Sequence, residues 1–213
     1  SRQTQFTYEG SRLESMARDL QENAQADSFA KNLCVVTGEE GEEDASVTAE
    51  AAAAFGIDSK QVIFQKNPFE RLYPASITKI MTALIAIRDG DLTDSVTVGP
   101  ETIITETGAS LAHINPGDTL TMEQLLYGLM LPSGNDAGAA IAVHMAGSTE
   151  AFAEKMNETA HALGATDTHF VNPHGLNNED HYTTAYDLYL IFNEALKYPE
   201  FRKIIGTVSY QAQ

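Results

Sequence analysis

The sequence is poor in basic residues, in cysteine and in long apolar stretches. It has 13 Lys and Arg against 30 Asp and Glu, for a net charge of -17, which excludes a broad basic surface for nucleic acid or anionic membrane. Its one cysteine, Cys34, excludes an internal disulfide, and the setting "NLCVVT" predicts a buried strand position. No stretch approaches the ~20 apolar residues of a membrane span.

The chain has the length and apolar content of one domain, with 213 residues and 43% hydrophobic residues. Residues 1–29 are polar and lack the apolar core of a signal peptide, which predicts a tail or a weakly packed helix. Residues 30–213 are predicted to form the domain.

Two apolar, β-branched segments near the start predict a hairpin, namely "NLCVVT" and "QVIFQ" at residues 61–65. Between them lie the acidic run 39–44 and an alanine run. The acidic run lacks the alternating ligands and positioned glycine of a calcium loop. We expect the whole connection to be a solvated surface excursion.

The rest of the sequence predicts helices between residues 76 and 196, interrupted by one short strand in "DLTDSVTVG". Thr121 and Gln124 have capping-box spacing before one of these helices. The segment "IIGTVSY" predicts a final strand. The fold class is therefore α+β, with an antiparallel sheet and a helical cluster. Because two strands make no independently stable sheet, we expect further strands beyond Gln213.

The stretch "RLYPASITKIMTALIAI" places Ser76 and Lys79 three residues apart at the head of an apolar helix. Side chains at this spacing share one helix face, and the first turn favours developing negative charge. The residues after Lys79 are apolar nearly all the way round, so burial should push the lysine toward its neutral form. A neutral amine can take the proton of a serine nucleophile.

A plainer interpretation is an N-cap serine and a lysine that extends to the surface. Ser28 and Lys31 have the same spacing without a buried helix after them, so spacing alone is weak evidence. A second element, "LPSGNDAG", places Ser133 and Asn135 in a turn between two helices. A hydroxyl there can relay protons, and the amide can bind a peptide. The alternative is that Ser133 only caps the next helix.

Taken together, "YPASITKIMTALIAI", "LMLPSGNDAGAAIA", "THFVNPHGL" and "HYTTAYDL" resemble the penicillin-recognising serine peptidases, and most of all their D-alanyl-D-alanine carboxypeptidase branch. The resemblance runs from about Ala30 to the end. It implies a β-lactamase/transpeptidase-like fold. It also implies Ser76 as acylated nucleophile, Lys79 as its base, Ser133 as proton shuttle and Asn135 as substrate contact.

The sequence departs from this family in its third motif. No Lys, Arg or His is followed by Thr-Gly or Ser-Gly, whereas the family's Lys-Thr-Gly strand binds the substrate carboxylate and supplies one oxyanion-hole N–H. Loss of one such donor typically lowers the rate by about 10²–10³. We therefore expect the domain to be incomplete, with the missing strand in a further segment or partner chain.

Three rival functions remain open at this point. The first is a zinc peptidase, whose ligands would come from the cluster His169, His174, Glu179, Asp180 and His181. The spacing of this cluster matches no helix-borne zinc pair. A β-lactamase shares Ser-x-x-Lys but needs an added group for rapid deacylation, which the sequence does not identify. A non-catalytic binding or scaffold module is the third.

The function expected from the resemblance is a serine carboxypeptidase that trims peptidoglycan stem peptides ending in D-Ala-D-Ala and is inhibited by β-lactams. The resemblance implies no metal and no organic cofactor. Such a substrate implies an extracytoplasmic protein whose targeting segment has been removed, with the polar N-terminal tail as a tether.

Overall fold

The computed structural model describes residues 33–36 and 47–211. Its regular elements, in chain order, are β1 (Ala52–Gly56), β2 (Gln61–Lys66), a 3₁₀ helix (Ala75–Thr78), α1 (Lys79–Asp89), β3 (Ser95–Thr97), a second 3₁₀ helix (Pro100–Thr102), β4 (Thr119–Thr121), α2 (Met122–Met130), α3 (Asn135–Ala146), α4 (Thr149–Ala162), α5 (Ala185–Ala195) and α6 (Pro199–Ile205). Within the described residues, no helix is both long and apolar enough to cross a bilayer.

Helix α1 is the centre of the core. It contacts each of the other five α-helices, and its residues 81–86 are all buried. Its neighbour α3 begins with small residues, so the two helices can approach closely. The capping box predicted for α2 is present, with reciprocal bonds between Thr121 and Gln124. The helical cluster is therefore built as its apolar periodicity predicts.

The predicted N-terminal hairpin is wrong in one of its strands. Strand β2 pairs antiparallel with β1, which lies in the alanine run, while residues 33–36 form no strand. Phe55 of β1 stacks on Tyr189 of α5 at 4.0 Å between ring centroids. Pairing and this aromatic contact override the weak strand preference of alanine. The acidic run 39–44 lies outside the described residues.

Cys34 is buried as predicted, although not in a strand. It is 0% exposed, and its backbone N–H donates to the Tyr189 hydroxyl at 2.8 Å. This contact joins the residues before the hairpin to α5.

The predicted final strand is also wrong. Residues 199–205 form α6, with Pro199 in its first turn and Phe201 and Ile204 buried on one face. Proline favours that position because it has no N–H to leave unpaired. The i, i+3 spacing of the two apolar residues is helical, and "GTVSY" after them forms no strand. The second described sheet is instead the pair β3 and β4.

Candidate active site

The Ser76 turn, residues 73–79, leads the chain into α1. Ala75 has a positive φ of 50° and begins the 3₁₀ helix, which contains Ser76 and ends at Thr78 with Lys79 as its C-cap. Side chains three residues apart are eclipsed in 3₁₀ geometry, which favours the alignment of Lys79 with Ser76. The serine is exposed, whereas the lysine is 2% exposed.

The amine of Lys79 has three neighbours at hydrogen-bond distance. Its Nζ donates to Asn135 Oδ1 at 2.7 Å and to the His174 carbonyl at 2.7 Å, and it lies 3.3 Å from Ser76 Oγ. Neither carbonyl oxygen can donate, so both must receive an N–H. The remaining tetrahedral position of the nitrogen therefore faces Ser76. In the ammonium that position is an N–H, and in the neutral amine it is the lone pair.

Burial lowers the pKa of Lys79 from 10.5 to about 8, against the opposing effect of the negative charge of Asp136. At pH 7 about one lysine in ten is then neutral, since the fraction changes tenfold per unit of pH. The two carbonyl contacts can be kept in both states. Loss of one proton thus converts a donor to Ser76 into an acceptor without moving the nitrogen.

Ser133 lies in the Ser133 turn, residues 131–134, between α2 and α3 as predicted. It has a positive φ of 60°. The residue at the N-cap of α3 is Gly134, without a side-chain cap bond, so Ser133 is not the cap of that helix. Its Oγ is buried and has no hydrogen-bond partner in the part of the chain that the structure describes.

Close backbone contacts hold the Ser133 turn. Gly134 N–H donates to the Gly128 carbonyl at 3.0 Å, and a Cβ on Gly134 would lie only 2.6 Å from that oxygen. A glycine is therefore required between the serine and the asparagine. Asn135 N–H donates to the Ser110 carbonyl at 2.8 Å, which orients the amide toward Lys79.

A buried carboxylate organises the same turn. Asp136 is 1% exposed and accepts the backbone N–H groups of Ala112 at 2.8 Å and Ile114 at 2.9 Å. These bonds attach the residue 110–114 segment to the start of α3. Sequence reasoning missed Asp136, and its only signal was an acidic residue in the first turn of an otherwise small-residue helix.

The loop 172–176 closes over the Ser76 turn. The Tyr73 hydroxyl donates to the Gly175 carbonyl, and Thr82 Oγ1 donates to the Pro173 carbonyl at 2.5 Å. Gly175 has φ +84°, and a Cβ there would lie 1.9 Å from the Ala75 carbonyl. The loop is therefore fixed against the Ser76 turn and α1 by side-chain bonds and by a close glycine contact.

The candidate zinc ligands are not assembled into one site. Among the described residues, no group of three His, Cys, Asp or Glu side chains is arranged to hold a metal ion. His174 Nδ1 accepts the Leu176 N–H at 3.3 Å, and His181 uses both ring nitrogens within the protein. Burial lowers the pKa of both histidines from 6.5 to about 4.

Solved structures of similar proteins show the class of fold to which this chain belongs. A serine-to-alanine mutant of a Streptomyces DD-transpeptidase has a TM-score of 0.75 and 33% identity, covering 79% of this chain and 69% of that one. A D-alanyl-D-alanine carboxypeptidase from Mycobacterium tuberculosis has a TM-score of 0.71 and 33% identity, covering 80% and 64%. The fold is therefore β-lactamase/transpeptidase-like, as predicted.

The family model for D-alanyl-D-alanine carboxypeptidases matches residues 38–213. The carboxypeptidase DacF of Bacillus subtilis is 39% identical over 174 residues, covering 79% of this chain and 45% of that protein. DacA of Escherichia coli is 38% identical over 154 residues, covering 68% and 38%. The chain belongs to the D-alanyl-D-alanine carboxypeptidase family, and it spans less than half the length of these two curated relatives.

Proposed function

We propose that this protein is a serine D-alanyl-D-alanine carboxypeptidase that acts on peptidoglycan stem peptides through an acyl-enzyme. The observation that carries the proposal is the Lys79 amine, buried and fixed by two carbonyl oxygens with its remaining position toward Ser76. Family membership supports the substrate class. Because that substrate lies outside the cytoplasm, the protein is extracytoplasmic.

In the proposed reaction, the neutral amine of Lys79 takes the proton of Ser76. The Ser76 oxygen attacks the carbonyl carbon between the last two D-alanines, and the C–N bond to the last residue breaks. The leaving nitrogen needs a proton, and the unpartnered hydroxyl of Ser133 is the relay that carries it from Lys79. Water then attacks the ester and releases the shortened peptide.

Asn135 serves both parts of the site in this proposal. Its Oδ1 holds Lys79, which leaves the amide NH₂ to donate to a peptide carbonyl of the substrate. β-lactams acylate the same serine and act as inhibitors.

Covalent labelling with a fluorescent penicillin tests the proposal directly. The full-length protein should be labelled, and Ser76→Ala should not. Ser95→Ala is the matched control, because Ser95 is an exposed serine outside the site, and it should label like the wild type. Release of D-alanine from a peptide ending in D-Ala-D-Ala should follow the same pattern. Equal labelling of wild type and Ser76→Ala would refute the proposal, and release of bound penicillin within minutes would favour a β-lactamase.

A further inference from the structure

His181 is a buried histidine that the proposed reaction does not use. It is 1% exposed and lies 103 residues from Thr78 in sequence, yet its Nε2 is 2.8 Å from Thr78 Oγ1. On the other side of the ring, Val171 N–H lies 3.0 Å from Nδ1. Both ring nitrogens therefore have a partner.

These two contacts fix the tautomer. A backbone N–H can only donate, so Nδ1 must carry the lone pair and the ring hydrogen must be on Nε2. The Nε2–H then donates to the Thr78 hydroxyl. The ring is packed edge-on against Tyr73 and Phe170, with centroid distances of 6.0 and 5.6 Å.

A neutral ring is consistent with the surroundings. A positive charge on His169 disfavours one on His181, and a positive charge on His181 disfavours one on His174. Protonation at Nδ1 would place an N–H against the N–H of Val171. Burial is the main cause of the low pKa of His181, and the charge of His169 adds to it.

The acceptor, Thr78, lies between the two reacting residues. It is 0% exposed, and its hydroxyl is packed against Gly175, where an added Cβ would be 3.0 Å away. The turn it belongs to contains Ala75 with positive φ, a conformation that costs about 1–3 kcal/mol and persists only when its surroundings hold it. A bond from outside the turn is one way to hold it.

We propose that His181 is a positioning residue that holds the Ser76 turn in its reactive geometry through an Nε2–H bond to Thr78. The inference rests on the proposed function, since it names a further residue that the acylation of Ser76 depends on. The hydrogen bond from His181 to the Ser76 turn is made to Thr78, and the ring also packs against Tyr73 of the same turn, so His181 acts on Ser76 through its neighbours.

Two substitutions of His181 by amide side chains test the roles of its two ring nitrogens separately. His181→Gln keeps a donor near the position of Nε2, and His181→Asn keeps an acceptor near the position of Nδ1. We expect His181→Asn to acylate with penicillin about tenfold more slowly, the effect of losing one buried hydrogen bond, and His181→Gln to stay within about threefold of wild type. The noncovalent binding constant of the penicillin should be unchanged in both.

Thr78→Val removes the hydroxyl at nearly constant volume, and Thr78→Ser keeps it as the control. We expect Thr78→Val to acylate as slowly as His181→Asn, and Thr78→Ser to acylate as fast as the wild type. The double variant that combines Thr78→Val with His181→Asn should acylate no more slowly than either single variant. Equal loss in His181→Asn and His181→Gln, or additive losses in the double variant, would overturn the inference.

Imidazole ¹⁵N NMR of the wild-type protein gives a check that needs no variant to fold. The His181 ring should be the neutral Nε2–H tautomer at pH 7, and an imidazolium or an Nδ1–H tautomer would overturn the inference. If the wild type is not labelled by penicillin at all, the proposed function has failed and the inference fails with it. If wild type and His181→Asn label at equal rates, only the inference fails.

Discussion

The two serines of the site are in opposite situations. Ser76 is exposed and its hydroxyl lies 3.3 Å from an amine, whereas the Ser133 hydroxyl is buried and unpartnered among the described residues. Both lie in turns that contain a non-glycine residue with positive φ. A buried hydroxyl without a partner costs about 1–3 kcal/mol. The Ser76 oxygen is thus poised to meet substrate, while Ser133 is kept at the expense of stability.

The turns that carry them are also held differently. The Ser76 turn is clamped from outside by the loop 172–176. The Ser133 turn is held by the bond from the Gly134 N–H to the Gly128 carbonyl of α2, and the start of α3 beside it is held by the Asp136 carboxylate. The site therefore joins two segments that are held by different contacts, and Lys79 Nζ donates to Asn135 at the start of α3 while lying 3.3 Å from Ser76 Oγ.

The most severe way to break this arrangement is to remove the amine. Lys79→Met keeps the length and apolar packing of the side chain, but it removes the proposed base, so we expect penicillin acylation of Ser76 to fall by about 10³ or more. Stability should change little, because the loss of a buried charge is offset by the loss of the donor to the Asn135 and His174 carbonyl oxygens. Acylation by this variant within about tenfold of wild type would show that Lys79 is not the base. Lys155→Met is the control, because Lys155 is a half-buried lysine of α4 that pairs with Asp89 and lies outside the site, and this variant should acylate like the wild type.

The clamp on the Ser76 turn is tested by Gly175→Ala. The added Cβ would meet the Ala75 carbonyl at 1.9 Å with φ +84°, so backbone must move. We expect a loss of about 3 kcal/mol in the free energy of unfolding by urea, and a fall of about 10² in acylation. Gly117→Ala is matched for φ, at +96°, but has nothing within 4 Å, and it should lose only about 1 kcal/mol. Equal losses would mean that the contact with Ala75 does not matter.

The other turn responds in the opposite sense to Ser133→Ala. Removing the unpartnered hydroxyl should leave the urea midpoint unchanged or raise it by an amount worth about 1 kcal/mol. Acylation should fall by about 10–10², since the proposed proton relay is lost but the proposed nucleophile and base remain. A destabilised Ser133→Ala protein with full acylation would reverse the assignment and make this serine structural.

The smallest expected effect is that of pH on the acylation rate, which tests whether Lys79 must lose its proton. The folded pKa of about 8 lies below the ordinary 10.5, so the rate of acylation should rise about tenfold between pH 7 and a plateau above pH 8. Stability should rise from pH 8 toward 10.5, because over that range the unfolded chain binds the extra proton. A rate that does not change from pH 6 to 9 would exclude deprotonation of Lys79 as the controlling step.

The helices and the Ser76–Lys79 pair were predictable because their signals are local. Apolar periodicity, a capping box and a proline before the first turn act within a few residues. The contact of Asn135 with Lys79 joins elements far apart in sequence, and it was not predicted, since the resemblance of motifs implied Asn135 only as a substrate contact.

The errors arose where distant contacts decide the structure. An alanine run has little strand preference, and β1 forms because β2 pairs with it and Tyr189 stacks on it. The mistaken final strand was predicted from β-branched content, while the helical spacing of Phe201 and Ile204 was overlooked. Asp136 and the carbonyl of His174 act through backbone geometry, which no residue pattern displays.

The location of Cys34 has a practical consequence. Its thiol is fully enclosed, with the sulfur 3.8 Å from the Gly56 carbonyl, so a maleimide or disulfide reagent reaches it only when the packing around Cys34 opens. The rate of Cys34 alkylation therefore measures how often that packing opens. In the folded protein, a dye reagent would therefore react with a cysteine introduced at an exposed position and not with Cys34, so Cys34 does not need to be removed first.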